Sequence, residues 1–202
     1  MTLAWDAGPN DNRDVGDASA FIEAGYDFET KAVLSTKSVH KPPHFNDKLV
    51  MRPIATSNEW DELVGLEVRS AHDNMPPVEW EKFYRSQNSR YQAMANAGLG
   101  NWYGGFLDGK LVTTLGIFHR AQDVNGIGRF QSVGTDPDFR RQGLCGTLVY
   151  LAAEHAFKTM PIKDLVMCAD PDYHAIKIYE SVGFKRTSTE YGVYWWDRSR
   201  RR

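Results

Sequence analysis

The spacing of hydrophobic residues changes several times along the chain, and each change marks a predicted element. Apolar residues recur at helical spacing over residues 56–71 and 78–97, which predicts two consecutive helices. The spacing of apolar residues then falls to two residues on both sides of Asp108-Gly109, which predicts a β-hairpin. Further runs predict a mixed sheet of an α/β or α+β domain, with its other strands and helices at residues 49–53, 101–107, 111–119, 128–135, 142–158, 164–168, 172–182, 184–187 and 191–196.

The first 48 residues have a weaker pattern. They predict a short helix over 18–24, stopped by Gly25, and a strand over 26–35. Residues 37–48 contain two consecutive prolines and predict a linker. The predicted organisation is therefore an N-terminal extension, 1–48, followed by a main domain, 49–202.

Composition narrows the class of protein. The 202 residues include 24 basic and 26 acidic side chains, so the charge balance does not suggest a nucleic-acid partner. No apolar run approaches ~18 residues, and the N-terminus is acidic and polar, so neither a membrane span nor a signal peptide is predicted. The two cysteines predict free thiols in a cytoplasmic protein. No metal site is predicted.

One stretch carries a chemical prediction. A strand ends near Thr135, the polar turn Arg140–Gly143 follows, and a helical pattern begins at once. The first turn of a helix has backbone N–H groups without partners and a partial positive charge, and glycine lets an anion approach the backbone closely. The stretch therefore predicts a phosphate or pyrophosphate site.

Two motifs resemble one family. FRRQGLCG, residues 139–146, resembles the acetyl-CoA signature of the GNAT superfamily of N-acetyltransferases: Arg or Gln, two residues, Gly, one residue, then Gly or Ala. DYHAIKIYESVGFKR, residues 172–186, resembles the second motif of that family, a helix with Ala and Tyr that closes in Gly-Phe. The resemblance covers residues 49–196. It implies a GNAT-like mixed sheet, mostly antiparallel, flanked by helices and splayed at the cofactor site.

The resemblance also implies an acetyl-CoA site. The strand before the signature offers backbone groups to pantetheine, and the turn holds the pyrophosphate. Tyr179 matches the tyrosine that commonly protonates the departing CoA thiolate, and a phenol is protonated at neutral pH. Cys145 stands where Gly or Ala is usual and could be sensitive to oxidation. The implied cofactor-binding residues are Val133, Gly134, Thr135, Arg140, Arg141, Gln142, Gly143, Leu144, Cys145, Gly146 and Asp172, the last in the place of a usual Asn.

The base and the acceptor site are less defined. Many family members have a Glu on the strand before the signature, but no Glu lies between residues 126 and 135 here. Gln131, His119 and Glu190 are the polar candidates, and a chain of water molecules is the alternative. The loop between the first two helices implies an acceptor site with His72, Asp73 and Asn74. The implied acceptor is a small-molecule amine or a peptide amine.

Three functions are compatible with a phosphate site. The leading prediction is an acetyl-CoA-dependent N-acetyltransferase that transfers acetyl directly, since no Cys–His nucleophile pair is evident. A non-catalytic acyl-CoA sensor or interaction module is the alternative, favoured by the absent Glu and by Asp172. A nucleotide-binding protein is the third, but neither the P-loop pattern nor the dinucleotide fingerprint is present.

The extension has an internal resemblance to the end of the main domain. Residues 21–35 and 179–195 both read aromatic, three residues, Gly, aromatic and then a strand. We hypothesise that the extension is the end of a second GNAT domain; a chance match of a short unit is the alternative. The edge of an isolated strand has unpaired backbone N–H and C=O groups, which are normally paired or covered by another segment. The extension should therefore dock on the main domain or on a second copy in a homodimer, and removing residues 1–40 should lower solubility or dissociate an oligomer.

Overall fold

The computed structural model of the chain describes residues 2–6, 17–71, 76–122 and 124–195. The strands in chain order are β1 (Thr2–Asp6), β2 (Asp27–Thr36), β3 (Val50–Pro53), β4 (Gly100–Leu107), β5 (Lys110–His119), β6 (Ile127–Thr135), β7 (Asp164–Ala169) and β8 (Lys185–Tyr194). The helices are α1 (Ser19–Glu23), α2 (Ser57–Ser70), α3 (Pro77–Asn96), α4 (Leu144–Thr159) and α5 (Ala175–Glu180).

The eight strands form one sheet in the order β1-β8-β2-β7-β6-β5-β4-β3. Only β6 and β7 run parallel among the strand pairs of the described ranges. One core lies under α4 and α5, and a second, built around Trp60, Leu63 and Trp102, lies under α2 and α3. The predicted class, a mixed and mostly antiparallel sheet flanked by helices, is confirmed. No helix of the described ranges has the length and apolar character needed to cross a bilayer.

The local sequence explains where α2 begins. Thr56 accepts a hydrogen bond from the Glu59 N–H through its hydroxyl, and the Glu59 carboxylate accepts one from the Thr56 N–H. This capping box satisfies two N–H groups at the start of the helix. A hydrogen bond from Arg52 lowers the pKa of Glu59 to about 2, so the cap stays charged. The helix therefore begins where the sequence predicts.

The C-terminal end of the sheet differs from the prediction. The two strands predicted at 184–187 and 191–196 are one continuous strand, β8, in the described structure. Its middle residues, 188–190, are polar and suggest a turn, but they pair with Lys31, Ala32 and Val33 of β2. The prediction of two strands was wrong because the hydrogen-bonding partner of this segment lies about 150 residues away in sequence.

The strand β2 lies inside the sheet. It pairs with β8 on one side and with β7 on the other, and its side chains Ala32 and Leu34 are fully buried. The strand thus precedes the boundary predicted at residue 48, yet it belongs to the same sheet as the residues after that boundary. The segments α1–β2 and α5–β8 share the order helix, glycine and strand. Their origin from a repeat stays a prediction.

Two features open the sheet beside β6. Its parallel pairing with β7 covers only residues 127–129, so the two strands diverge beyond Arg129. On the β5 side, Gly134 pairs with Thr114 and Gln131 with Gly116, so Ser132 and Val133 bulge opposite a single residue. Ser132 has a positive φ of 38° at this bulge. The backbone of this short segment is therefore left outside both strand ladders.

Candidate functional site

A large cleft of about 1550 Å³ lies against the C-terminal half of β6 and the start of α4. Its walls come from residues 42–48, from the β4–β5 hairpin, from the turn before α4 and from α5. The predicted cofactor residues that line it are Val133, Thr135, Arg140, Arg141, Gln142, Gly143, Leu144, Cys145 and Gly146, together with Tyr179. The fold thus gathers ten separately predicted residues around one cavity.

The turn before α4 is held in an unusual conformation. Arg141 and Gly143 have positive φ angles of 61° and 74°, in the left-handed region. Gly143 is the residue that caps α4, and its hydrogen side chain provides no cap. The helix begins at Leu144, two residues later than predicted, because the left-handed residues extend the turn. The first N–H groups of α4 are therefore without a side-chain cap and border the cleft.

A buried carboxylate anchors the start of this turn. Asp136 accepts hydrogen bonds from the Arg69 guanidinium at 2.8 and 3.2 Å and from the Asp138 N–H at 3.1 Å. Burial acts to raise the pKa of Asp136, but these donors outweigh it and hold the pKa below its ordinary value. The contact ties α2 to the end of β6 and fixes the direction in which the turn leaves the sheet.

Residues 37–48 are here called the strap, and its residues 42–48 form one wall of the cleft. The backbone N–H of Asn46 donates to the Thr147 hydroxyl at 2.8 Å, and its side-chain amide donates to the Gln142 carbonyl at 2.9 Å. A Cβ at Gly143 would lie 2.1 Å from the His44 carbonyl oxygen. The strap was predicted as a linker, and its irregular sequence gave no signal that it would contact the turn.

The charge of the cleft favours an anion. Its walls carry four Lys and Arg side chains and two carboxylates, Asp47 and Asp108. Both arginines of the turn and Lys48 of the strap are exposed. A phosphate or pyrophosphate group suits this combination of cationic side chains, uncapped helix N–H groups and left-handed backbone. The four cationic residues are Lys48, Lys110, Arg140 and Arg141.

Tyr179 lies in the wall of the cleft on α5 and is only 7% exposed. Burial raises the pKa of its phenol well above the ordinary value, and Cys145 and Tyr173 act in the same direction. The phenol therefore stays protonated and can donate a hydrogen bond. Burial also raises the pKa of the Cys145 thiol to about 12, so that side chain is a neutral thiol at physiological pH.

Two predicted cofactor residues do not line the cleft. The Gly134 carbonyl accepts a hydrogen bond from the Thr113 hydroxyl at 2.8 Å, so this group is occupied within the sheet. Asp172 is exposed, and its N–H donates to the Asp170 carboxylate at 2.9 Å. The residues of this segment that line the cleft are instead Tyr173 and His174, which carry no negative charge in their ordinary states.

The predicted acceptor and base residues are dispersed. Gln131 accepts a hydrogen bond from the Tyr91 hydroxyl at 3.1 Å, so it faces α3. The His119 ring contacts the Arg120 carbonyl at 3.0 Å and lies three residues along β5 from the bulge, roughly 10 Å away. His72, Asp73 and Asn74 lie outside the described residues. The structure thus brings Gln131 beside the bulge but leaves His119 at the far end of its strand.

Comparison with solved structures finds this fold in known acetyltransferases. A GCN5-related N-acetyltransferase from Kribbella flavida has a TM-score of 0.64 at 17% identity over 95% of this chain and 66% of its own. A tandem GNAT protein from the clavulanic acid biosynthesis pathway has a TM-score of 0.65 at 14% identity over 95% of this chain and 63% of its own. A GCN5-related N-acetyltransferase from Sphaerobacter thermophilus has a TM-score of 0.61 at 13% identity over 96% of this chain and 59% of its own.

The chain thus spans less than two thirds of the length of these three structures. At these identities the likeness establishes the fold. No curated protein matches the chain in sequence. The model of the acetyltransferase (GNAT) family matches residues 61–184, which include the turn, the start of α4 and Tyr179. This match spans more than half of the chain and includes the first motif and all but the last two residues of the second, and the protein therefore belongs to the acetyltransferase (GNAT) family.

Proposed function

We propose that the protein is an acetyl-CoA-dependent N-acetyltransferase that transfers an acetyl group directly to an amine. One observation carries the proposal: the cleft joins an anion-binding turn to the bulge of β6 and to the buried phenol of Tyr179. The turn suits the pyrophosphate of CoA, and the opening between β6 and β7 suits its extended pantetheine arm. The free thiols Cys145 and Cys168 fit a cytoplasmic protein.

Different residues of the cleft would bind different parts of acetyl-CoA. The N–H groups at the start of α4 and the exposed Arg140 and Arg141 would hold the pyrophosphate. The backbone of Val133, free of both strand ladders, would pair with the amides of pantetheine. Lys48 and the rest of the strap would cover the outer side of the bound molecule.

The chemistry would occur at the bulge. Acetyl-CoA supplies an activated acetyl group as a thioester. A backbone N–H of the segment 133–135 would donate to the carbonyl oxygen, where negative charge develops during attack. Tyr179 would donate a hydrogen bond to the departing sulfur; its raised pKa keeps the proton in place but makes the phenol a weaker acid. The two cysteine thiols have raised pKa values, which supports direct transfer rather than an acetyl-cysteine intermediate.

Calorimetry with acetyl-CoA tests the binding half of this proposal. A thiol-release assay with acetyl-CoA and a panel of primary amines tests the catalytic half. Binding together with amine-dependent thiol release is the expected result. Binding without release for any amine would favour the non-catalytic acyl-CoA sensor, and the lack of a Glu on β6 is the observation that keeps this second function open. Absence of binding would exclude both functions.

Replacing Gly143 with alanine is expected to lower acetyl-CoA affinity at least about tenfold. Two physical effects add at this position. A non-glycine residue with φ near 74° costs about 1–2 kcal/mol, and the new Cβ would lie 2.1 Å from the His44 carbonyl oxygen. The turn or the strap must therefore move. Calorimetric titration of the variant with acetyl-CoA measures the loss.

Gly98 provides the matched control for this substitution. Its φ is 71°, and a Cβ there would meet nothing within 4 Å. Gly98→Ala carries the same backbone penalty at the end of α3, far from the turn, and should keep wild-type affinity. Equal affinity of Gly143→Ala and the wild type would refute the placement of the pyrophosphate at this turn.

Replacing Asn46 with alanine is expected to lower acetyl-CoA affinity roughly fivefold, which corresponds to about 1 kcal/mol. The change removes the hydrogen bond to the Gln142 carbonyl and the one that Asn46 Oδ1 accepts from the Lys48 N–H, and it leaves the backbone contact with Thr147 in place. The strap then holds the turn less firmly before the cofactor binds. Asn58→Ala, at an exposed position of α2, is the control that should bind normally. Unchanged binding by Asn46→Ala would mean that the strap does not organise the turn.

A further inference from the structure

A buried carboxyl group and a buried amide join α2 to α3, outside the cleft. Glu67 and Asn88 are 6% and 3% exposed, and Asn88 Nδ2 donates to Glu67 Oε2 at 2.7 Å. The second oxygen of each group, Glu67 Oε1 and Asn88 Oδ1, is also buried and has no hydrogen-bond partner among the described residues. Buried polar atoms are normally paired. One hydrogen bond therefore connects two side chains that each still have a buried acceptor to satisfy.

The protonation state of Glu67 decides whether these two oxygens can pair with each other. An ionised carboxylate only accepts hydrogen bonds, and the amide oxygen of Asn88 also only accepts. A neutral carboxyl group carries one O–H donor. That O–H can donate to Asn88 Oδ1 while Asn88 Nδ2 donates to the other oxygen of Glu67. The two planar groups then close a ring of two hydrogen bonds, and neither oxygen is left unpaired.

We propose that Glu67 is a neutral carboxylic acid in the folded protein and closes this ring with Asn88, so that the packing of α2 on α3 loosens as the pH rises above neutrality. The pair is a pH-sensitive device built into the fold. It lies outside the cleft, so it acts independently of the proposed acetyl transfer.

The electrostatics of the pair support a neutral Glu67. Burial raises the pKa of Glu67 from 4.5 to about 7, and the hydrogen bond from Asn88 opposes the rise. The second hydrogen bond of the ring would act together with burial, because it exists only when the carboxyl group is protonated. Both effects favour the neutral acid over a charge held between two helices.

The cations of the elements packed against α2 do not compensate a charge on Glu67. Arg85 and Arg90 of α3 and Arg129 of β6 are all exposed, and Arg85 is bound by two carboxylates. The strand β5 has charged or titratable side chains only at its two ends. Among the described residues no ion pair therefore includes Glu67.

The other titratable and charged groups near the pair are engaged elsewhere. From α3, Tyr91 donates to Gln131. Burial raises the pKa of the Tyr91 phenol, and the charge of Glu67 acts in the same direction, so this phenol is no proton donor to a carboxylate near neutral pH. On α2 itself, Arg69 is bound to Asp136.

The direction of the pH dependence follows from the raised pKa. Between about pH 4.5 and 7 the folded protein holds a proton on Glu67 that the unfolded chain has lost. The stability contributed by the neutral pair is therefore fully present below this range, falls as the pH rises through it and is lost above about pH 7. Above neutrality the ionised carboxylate is buried without a cation, which favours separation of the two helices.

Thermal melts of the wild type and Glu67→Gln at pH 5.5 and pH 8 test the device. Glutamine copies the neutral acid, because its amide can donate to Asn88 Oδ1 and its carbonyl can accept from Asn88 Nδ2. The melting temperature of the variant relative to the wild type should rise by at least about 3 °C between the two pH values. Glu62→Gln, at an exposed position of the same helix, is the matched control. Its melting temperature relative to the wild type should change by less than about 1 °C.

Two further measurements locate the effect at the pair. The infrared difference spectrum between wild type and Glu67→Gln at pH 6 should contain the carbonyl band of one protonated carboxyl group, and at pH 8 that of a carboxylate. Hydrogen exchange of the α2 and α3 amides, corrected for the intrinsic pH dependence of exchange, should lose protection at pH 8 in the wild type and keep it in the variant.

A melting-temperature difference between Glu67→Gln and the wild type that is the same at both pH values would overturn the inference. So would a spectrum at pH 6 without the protonated carboxyl band, since Glu67 would then be ionised in the folded protein. Equal protection of α2 and α3 at both pH values in the wild type would show that the charge does not loosen the helix pair, which would also overturn it.

Discussion

Removing residues 1–36 is expected to leave a chain that does not fold. The deleted segment includes β2, which pairs with β7 on one side and β8 on the other. Its loss exposes two unpaired strand edges and opens the core around Ala32 and Leu34, both fully buried. Exposed edges and apolar surface lead to aggregation. Expression of the truncated chain, followed by size-exclusion chromatography and a thermal melt, measures the outcome.

Two controls separate β2 from the rest of the N-terminal segment. Removing residues 1–16 alone takes away the edge strand β1 and leaves β2 paired on both sides, so this chain should fold. Leu34→Ala should lower the free energy of unfolding by about 2–5 kcal/mol, because it empties a buried site. Leu3→Ala, at a side chain 41% exposed on β1, should change it by less than about 0.5 kcal/mol.

A chain lacking residues 1–36 that is soluble and melts cooperatively would contradict the role of β2. It would also contradict the consequence drawn from the partial-repeat hypothesis, that the extension docks on the main domain or on a second copy. We propose that the extension is the end of a leading domain whose last strand completes the sheet of the following domain.

Replacing Tyr179 with phenylalanine is expected to lower kcat about 100-fold. The phenol is the protonated side chain of α5 that lines the cleft beside Cys145, and the proposed mechanism uses it at the departing sulfur. Phenylalanine keeps the ring that packs in the core and removes only the hydroxyl. Turnover with acetyl-CoA and an accepted amine, measured beside calorimetry with acetyl-CoA, separates catalysis from binding.

Tyr150→Phe is the control for this measurement. Tyr150 lies on α4, packs against Phe45 of the strap, and does not line the cleft. It should keep wild-type turnover and affinity. If Tyr179→Phe turns over at the wild-type rate, the hydroxyl does not assist the departure of the sulfur. A loss of affinity equal to the loss of turnover would assign Tyr179 to cofactor binding instead.

The sequence alone determined the local elements and the glycine turn before α4. Hydrophobic spacing predicts helices and strands because a helix and a strand repeat with different periods, 3.6 and 2 residues. The capping box at Thr56 and the left-handed glycine at 143 are equally local, since each depends on a few neighbouring residues. The two motifs therefore identified the family, and nine of the eleven cofactor residues that the resemblance predicts line the cleft.

Only the tertiary structure decided which distant segments meet. The alternating apolar and polar residues of β2 are compatible with many partner strands. Its place between β7 and β8 depends on pairings between residues more than 100 positions apart in sequence. The strap carries no periodic pattern, yet Asn46 binds the turn at Gln142. Glu67 looks like any glutamate of an amphipathic helix until α3 and β6 bury it. Such contacts depend on free energies of packing that no local pattern records, and they decide which residues wall the cleft.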